Sequence, residues 1–238
     1  MEIAATVVRH ASVLDVEQLA KLRVTILGVG AGGLTIALLL AKLGARRILV
    51  CDKDVVAPEN LGPSLYEWDQ ALSGKRKTDA CAEMIWRATR VEIETRHGDV
   101  AGLETFGDVV FLCLDSNDLK WHTVKRIASL GDAMPERIFE GRMSASNFLT
   151  HSFSPRNPQH LATWERFYLP DADTADAVPA CGAARVVLSS VGVLAAGTIV
   201  QHFIDWLMWK GTGKRGDLVN QVFCDMAPYR TEPDSWGE

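Results

Sequence analysis

The run VTILGVGAGGLTIALLLAKLGARRILVCD, residues 24 to 52, leaves this chain few choices of fold. Val24 to Leu27 is a short β-rich stretch that ends in glycine. Gly33 to Leu43 then shows helical periodicity, and Arg47 to Cys51 reads as a second strand closed by Asp52. Strand, glycine turn, helix and strand in that order make a βαβ unit, which requires a parallel sheet. Within the turn, Gly28, Gly30 and Gly33 satisfy the G-x-G-x-x-G spacing, with Gly32 as an extra. Glycine permits a tight turn and close backbone approach, and the helix that follows offers free N–H groups to phosphate. Asp52 at the end of the second strand could hold ribose hydroxyls. The turn points to a nucleotide but does not choose among NAD, FAD and ATP. A purely structural glycine turn is the bland alternative.

The rest of the chain extends the same pattern. Lys77 to Thr89 reads as a helix, Val91 to Glu94 as a short strand and Asn117 to Leu130 as another helix. DVVFLCLD, residues 108 to 115, is a continuous apolar run closed by an acid, the pattern of a strand buried on both faces. After residue 135 the character changes. Ile138 to Phe153 carries strand-like runs, and Ser154 to Ala180 is rich in Pro, Asp and Ala with little periodicity. A long helix is expected from about Val187 to Trp209, and a last strand near Leu218 to Cys224. The predicted fold class is α/β, Rossmann-like: a mostly parallel sheet flanked by helices, with a short antiparallel C-terminal extension. No stretch reads as an interdomain linker, so one domain over residues 1–238 is expected.

Composition narrows the function classes. Of 238 residues, 47% are hydrophobic and 23% charged, the balance of a globular protein with a substantial core. A net charge of −5 argues against a large nucleic-acid footprint. The five cysteines, 51, 81, 113, 181 and 224, are odd in number and widely spaced, so a reduced, cytoplasmic protein is expected. MEIAATVVRH lacks the basic start and apolar core of a secretory signal. The most membrane-like segment, Val186 to Trp209, carries Gln201, His202 and Asp205 and reads as a buried helix rather than a span.

What separates the nucleotides lies downstream of the turn. A dehydrogenase has no general need for a second acid at Asp54, an Asn six residues later at Asn60, or the cluster Lys75, Arg76 and Lys77. An adenylating enzyme does, because departing pyrophosphate needs cations and the Mg²⁺ bridging the phosphates needs a carboxylate. Asp115, at the C-terminal end of a parallel strand, lies where open α/β sheets bind ligands. The competing readings are a solvated helix flank for residues 75–77 and a simple turn acid for Asp115.

Four segments carry a resemblance: G-x-G-x-G-G-L at 28–34, D-K-D-V-V-A-P-E-N-L at 52–61, G-x-x-K at 74–77 and C-L-D-S-N at 113–117. Together they resemble the ThiF/MoeB-like adenylyltransferases and the ubiquitin-activating-type (E1-like) enzymes. The resemblance implies that Asp52 binds the ribose, that Asp54 and Asn60 sit by the phosphates, that Lys77 contacts the phosphates and that Asp115 coordinates Mg²⁺. It implies ATP as the nucleotide and a ubiquitin-like or sulfur-carrier protein or peptide, ending in glycine, as the partner. It also implies a homodimer, in which an N-terminal arginine such as Arg9 reaches the partner's site. The same resemblance makes residues 1–20 a helical arm and residues 155–186 a loop over the active site.

Two departures stand out. Where the family carries an arginine aimed at the triphosphate, this chain has Pro63, so Arg76, Lys75 or an N-terminal arginine such as Arg9 supplies the charge, or ATP chemistry is weakened or lost. The chain has no C-x-x-C pair, so no structural zinc is expected. Finally, ACGAARVVLSSVGVLAAG resembles the segment of compact activating enzymes that begins with the catalytic cysteine. Cys181 follows Pro179 and precedes Arg185 by four residues. It reads either as the nucleophile that accepts the acyl group or as a buried structural thiol, with His151, His160 and His202 as possible bases. The other four cysteines read as structural. An NAD(P)- or FAD-dependent oxidoreductase and a non-catalytic subunit of an activating heterodimer remain the competing functions.

Overall fold

The computed structural model describes residues 7–9, 11–174, 188–212, 218–226 and 229–237. Its helices are α1 (Val16–Lys21), α2 (Ala31–Leu43), α3 (Trp68–Leu72), α4 (Lys77–Thr89), α5 (Asn117–Ala128), α6 (Pro158–Glu165), α7 (Asp171–Thr174) and α8 (Ser189–Thr212). Its strands are β1 (Arg23–Leu27), β2 (Arg47–Asp52), β3 (Glu94–His97), β4 (Val109–Leu112), β5 (Arg137–Met143), β6 (Asn147–Phe153), β7 (Gln221–Met226) and β8 (Tyr229–Asp234). The strands form one sheet in the order β3-β2-β1-β4-β5-β6-β7-β8. β3, β2, β1, β4 and β5 run parallel, and β6 to β8 continue antiparallel. This is the expected Rossmann-like sheet with its antiparallel extension.

Both faces of the sheet are covered, and the strand residues sort by period 2. Val24, Ile26, Ile48, Val50, Val109, Phe111 and Phe139 face α2, α4 and α8. Leu27, Cys51, Val110, Leu112 and Ile138 face α5 and α6. α8 is long and apolar enough to cross a membrane by length and composition. Its Ala195, Ala196 and Phe203 are nevertheless fully buried, and it packs on α2, β5 and β6 as a core helix. β1 leads to β2 on one side and is flanked by β4 on the other, so strand order reverses between β1 and β4. The carboxyl ends of these two strands are the switch point where such sheets bind ligands.

Several elements differ from the sequence expectation. β3 begins at Glu94 rather than Val91. Arg90 takes the left-handed conformation (φ 61°) that ends α4, and residues 91–93 cross to the sheet edge first. All four β3 residues are exposed, so no apolar pattern marks the strand. β4 is assigned only to Leu112, the register partner of Leu27 at the end of β1, and Cys113 N makes the last ladder bond to Leu27 O at 2.8 Å. The stretch expected to be irregular after Ser154 holds α6. Asn157 caps it by accepting from Gln159 N and His160 N, with Pro158 in the first turn. The strand expected near Leu218 to Cys224 is β7, Gln221–Met226, and β8 follows it as an additional strand. Its six residues are exposed and carry no alternation.

Candidate functional site

The turn after β1 is built around glycines for different reasons. Gly28 has φ +85°, and a Cβ there would lie 2.6 Å from the carbonyl oxygen of Cys113. A Cβ on Gly33 would lie 1.9 Å from Gly28 O. These two positions let the turn close under the start of α2 and against the turn after β4. Gly32 has only the flexible Met143 side chain near it, at 3.2 Å. Gly30 has open space where a Cβ would be. It is the N-cap of α2, a helix with no side-chain cap and no acid in its first turn. A 13-residue helix that starts without a side-chain cap, over open space, at the switch point offers the charge and room that suit an anion.

From this turn a chain of contacts runs to the lysine motif. Asp52, largely buried, accepts from Val29 N and Asp54 N, each at 2.8 Å. Val56 N donates to Lys75 O, and Lys77 N to Asp54 O, in a short antiparallel bridge centred on Val55 and Arg76. That bridge brings Lys77, at the start of α4, against Asp54, with Nζ to Oδ2 at 3.0 Å. The Lys77 side chain is mostly covered, while that of Asp54 is 54% exposed. Tyr66, which sequence reasoning missed, closes the assembly. Its buried hydroxyl donates to Val29 O at 2.5 Å and lies 3.3 Å from Lys77 O. Burial pushes its pKa far up, so it stays a donor.

Asp115 is exposed in the turn that follows β4. Ser116 caps α5, accepting from Leu119 N at 3.0 Å. Beside this turn, on the α5–α6 face, lies a buried charged group that no sequence reading found. Glu140 in β5 is fully buried and takes Arg142 Nε at 2.7 Å, His151 Nδ1 at 2.6 Å, Trp164 Nε1 at 3.0 Å and Lys120 Nζ at 3.3 Å. Burial alone would raise the Glu140 carboxyl, but Lys120, Arg142 and His151 outweigh it and hold it well below the usual range. Burial lowers His151, so its Nδ1–H donates to the carboxylate from a neutral ring. The readable signal was an acid between two arginines within the strand RIFEGRM, Arg137–Met143.

Among the described residues no group of three or more His, Cys, Asp or Glu side chains forms a ready metal cage. Mg²⁺ is usually held by one or two carboxylates together with phosphate oxygens and water. The uncapped helix, the Asp52 carboxylate, the covered Lys77 and an exposed carboxylate at Asp115 are a donor set that fits Mg·ATP.

The profile of the ThiF family matches residues 4–229. The chain belongs to the ThiF family. No curated protein sequence matches it closely enough to count as a relative. Among solved structures, E. coli MccB with ATP superposes with a TM-score of 0.72 at 13% identity, over 94% of this chain and 66% of that one. MccB with selenomethionine MccA gives 0.73 at 14% over the same shares. PaaA gives 0.66 at 20%, again over 94% and 66%. At these identities the likeness establishes the fold, and the chain spans just under two thirds of those proteins' length.

The other ThiF-family positions are less convergent. Asn60 closes the 3-10 turn Pro58–Asn60, its Oδ1 accepting from Ala57 N at 3.0 Å. Lys75 is ion-paired to Glu83, which that lysine holds below its usual pKa. Arg76 is exposed at the N-cap of α4, and Pro63 is half-buried in the preceding loop. Arg9 is exposed in a turn after helical Val7 and before α1; of the expected arm, residues 1–6 and 10 lie outside the described residues. Cys181 lies outside the described residues. The three histidines weighed as its bases are all buried: His151 on Glu140, His160 beside Ser154 N at 3.2 Å, and His202 on Thr150 Oγ1 at 3.0 Å. Cys51, Cys81 and Cys224 are buried, and burial pushes Cys81 and the half-buried Cys113 up to about 12, as structural thiols.

Proposed function

We propose that this protein is a Mg·ATP-dependent adenylyltransferase that activates the C-terminal carboxylate of a protein or peptide partner. The observation that carries the reading is the contact chain Val29–Asp52–Asp54–Lys77, which ties three separate motifs to one uncapped helix N-terminus. Asp52 would orient the ribose while the N–H groups at the start of α2 face the phosphates. Lys77 would offset charge as it moves onto the leaving pyrophosphate. Asp115 would hold Mg²⁺, which when bound neutralises the triphosphate and polarises its oxygens. A carboxylate oxygen of the partner attacks the α-phosphorus. The bond from the α-phosphorus to its β-bridging oxygen breaks, pyrophosphate leaves, and the product is an acyl-adenylate.

The partner we propose is a ubiquitin-like or sulfur-carrier protein, or a short peptide, ending in glycine. That MccB structures hold MccA supports the peptide form. Cys181 would then take the acyl group as a thioester, releasing AMP, in a step the adenylation does not require. We place the enzyme in the cytoplasm, as a homodimer. An oxidoreductase would leave the Asp54–Lys77 pair and Asp115 without a task. A nucleotide-binding but non-catalytic subunit is favoured by one feature, Pro63 in place of the family's arginine.

ATP–pyrophosphate exchange with a candidate carrier tests the main reading. Carrier-dependent exchange supports it, whereas nucleotide binding without exchange by any carrier supports the non-catalytic subunit. A thiol-cleavable carrier-sized adduct that survives Cys181→Ala would remove the cysteine from the pathway and leave adenylation standing.

A further inference from the structure

Arg142 stands at the rim of the sheet, beside the switch point. In the register of β4 and β5, Leu112 at the end of β4 lies opposite Glu140. Arg142 is two residues further along β5, past the end of its neighbour. The next residue, Met143, lies 3.2 Å from where a Cβ on Gly32 would be, so this end of β5 borders the glycine turn. By the alternation of the strand, Arg142 shares the α5–α6 face with Ile138 and Glu140.

The side chain is held from two sides. Nε donates to Glu140 Oε1 at 2.7 Å, and Nη1 donates to Phe167 O in the segment after α6. The guanidinium carbon lies 5.9 Å from the centre of the Trp164 ring. Glu140 also serves Lys120 and His151, so its charge is shared and does not neutralise Arg142 alone. Nη2 takes no partner among the described residues and is not sealed in the core, since 16% of the side chain stays exposed. An arginine fixed at Nε and Nη1 presents its remaining N–H pair in one direction, in the fork geometry that suits a carboxylate. The segment that Nη1 holds runs on to Asp171, whose carboxylate accepts from Ser116 Oγ at 2.5 Å and Asn117 N at 2.8 Å. It therefore straps the sheet end from β5 to the start of α5, with Arg142 at its root.

The face on which Arg142 lies decides what it meets. The reading above gives the phosphates to α2 and the departing pyrophosphate to Lys77 of α4, and both helices cover the opposite face. In a displacement at phosphorus the nucleophile enters in line with the leaving group and opposite to it. Entry is then from the α5–α6 side. We propose that Arg142 receives the attacking carboxylate of the partner, Nη2 holding one oxygen of that terminus while the other attacks the α-phosphorus. The new bond joins that oxygen to phosphorus, the bond to the β-bridging oxygen breaks, and pyrophosphate leaves with the electron pair. Arg142 keeps its protons throughout. The inference rests on the adenylation reading and deepens it, by naming the residue that recognises the partner's end.

ATP–pyrophosphate exchange on the full chain tests this, with a pool of acetylated octapeptides ending in Gly-Gly as the probe. The free acids give a KM, and the same pool as C-terminal amides, which cannot be adenylated, gives an inhibition constant. The unaltered protein is expected to hold the acids at least about tenfold more tightly than the amides, the scale of one hydrogen bond to a charged group. Arg142→Lys keeps the charge beside Glu140 but loses the fork. It is expected to raise the KM of the acids about tenfold, while amide inhibition and the KM of ATP move less than about twofold. If that variant does not fold, Arg142→Gln, whose amide can still bond Glu140, is expected to show the same acid-selective loss. Equal losses for acids and amides, or none, would show a structural role only and overturn the proposal. A loss confined to ATP would assign Arg142 to the phosphates and overturn it too. Acids and amides held alike by the unaltered protein would overturn it without any variant. No exchange with the acid pool in the unaltered protein would overturn the adenylation reading itself, and this inference with it.

Discussion

Alanine at Gly28 and alanine at Gly30 separate folding from binding within one turn. At Gly28 a side chain must adopt φ +85°, and its Cβ would lie 2.6 Å from a backbone oxygen that cannot swing away. The left-handed backbone costs about 1–2 kcal/mol for an L-residue, and forcing the contact adds about 1–3 kcal/mol. Gly28→Ala is therefore expected to lose about 2–5 kcal/mol, a drop of roughly 5–20 °C in Tm for a chain of this size. At Gly30 φ is −71° and a Cβ meets nothing within 4 Å. Gly30→Ala forfeits only a preferred N-cap, under about 1.5 kcal/mol. Its methyl, however, fills the space in front of α2 that the reading gives to phosphate. Overpacking of about 1–3 kcal/mol there weakens ATP binding about five- to 150-fold. Urea unfolding and ATP calorimetry on both variants are the assays. Wild-type stability in Gly28→Ala would refute the packing argument, and wild-type ATP affinity in Gly30→Ala would refute the placement of the phosphates.

Three further perturbations follow from the same contacts. Lys77→Ala is expected to cut pyrophosphate exchange about a hundredfold. Because its partner Asp54 is half-exposed, unfolding free energy should move by less than about 1 kcal/mol. Glu140→Gln strips the carboxylate from buried Lys120 and from Arg142, and is expected to cost about 3–5 kcal/mol in urea unfolding. His202 has its pKa lowered by burial from 6.5 to about 4. Between those pH values the unfolded chain binds a proton that the native one does not, so stability falls as pH drops through that window, by at most about 3 kcal/mol. His202→Gln, which keeps a hydrogen-bonding group for Thr150, should flatten that slope; an unchanged pH profile would contradict the assignment.

The sequence by itself determined everything that depends on near neighbours along the chain. α4 was legible residue for residue as Lys77–Thr89, and the βαβ unit was readable because helix and strand periodicities and glycine spacing are local properties. Four motifs in order along residues 28–117 carry the family resemblance on their own. Tertiary structure alone decided which distant groups meet. The antiparallel bridge at Val55 and Arg76 turns two motifs into a Lys77–Asp54 pair, and Tyr66 reaches both Val29 and Lys77 across a fold in the chain. Glu140 looks like one more charge in the strand RIFEGRM until Lys120 from α5 and His151 from β6 join its own strand's Arg142 to compensate its burial. β8 left no mark and β3 was placed three residues early, because edge strands with exposed side chains are held by backbone pairing, which no side-chain pattern records. Asp171 is the sharpest case: one more acid in a Pro- and Asp-rich stretch until the fold lays it on the start of α5, beside Asp115.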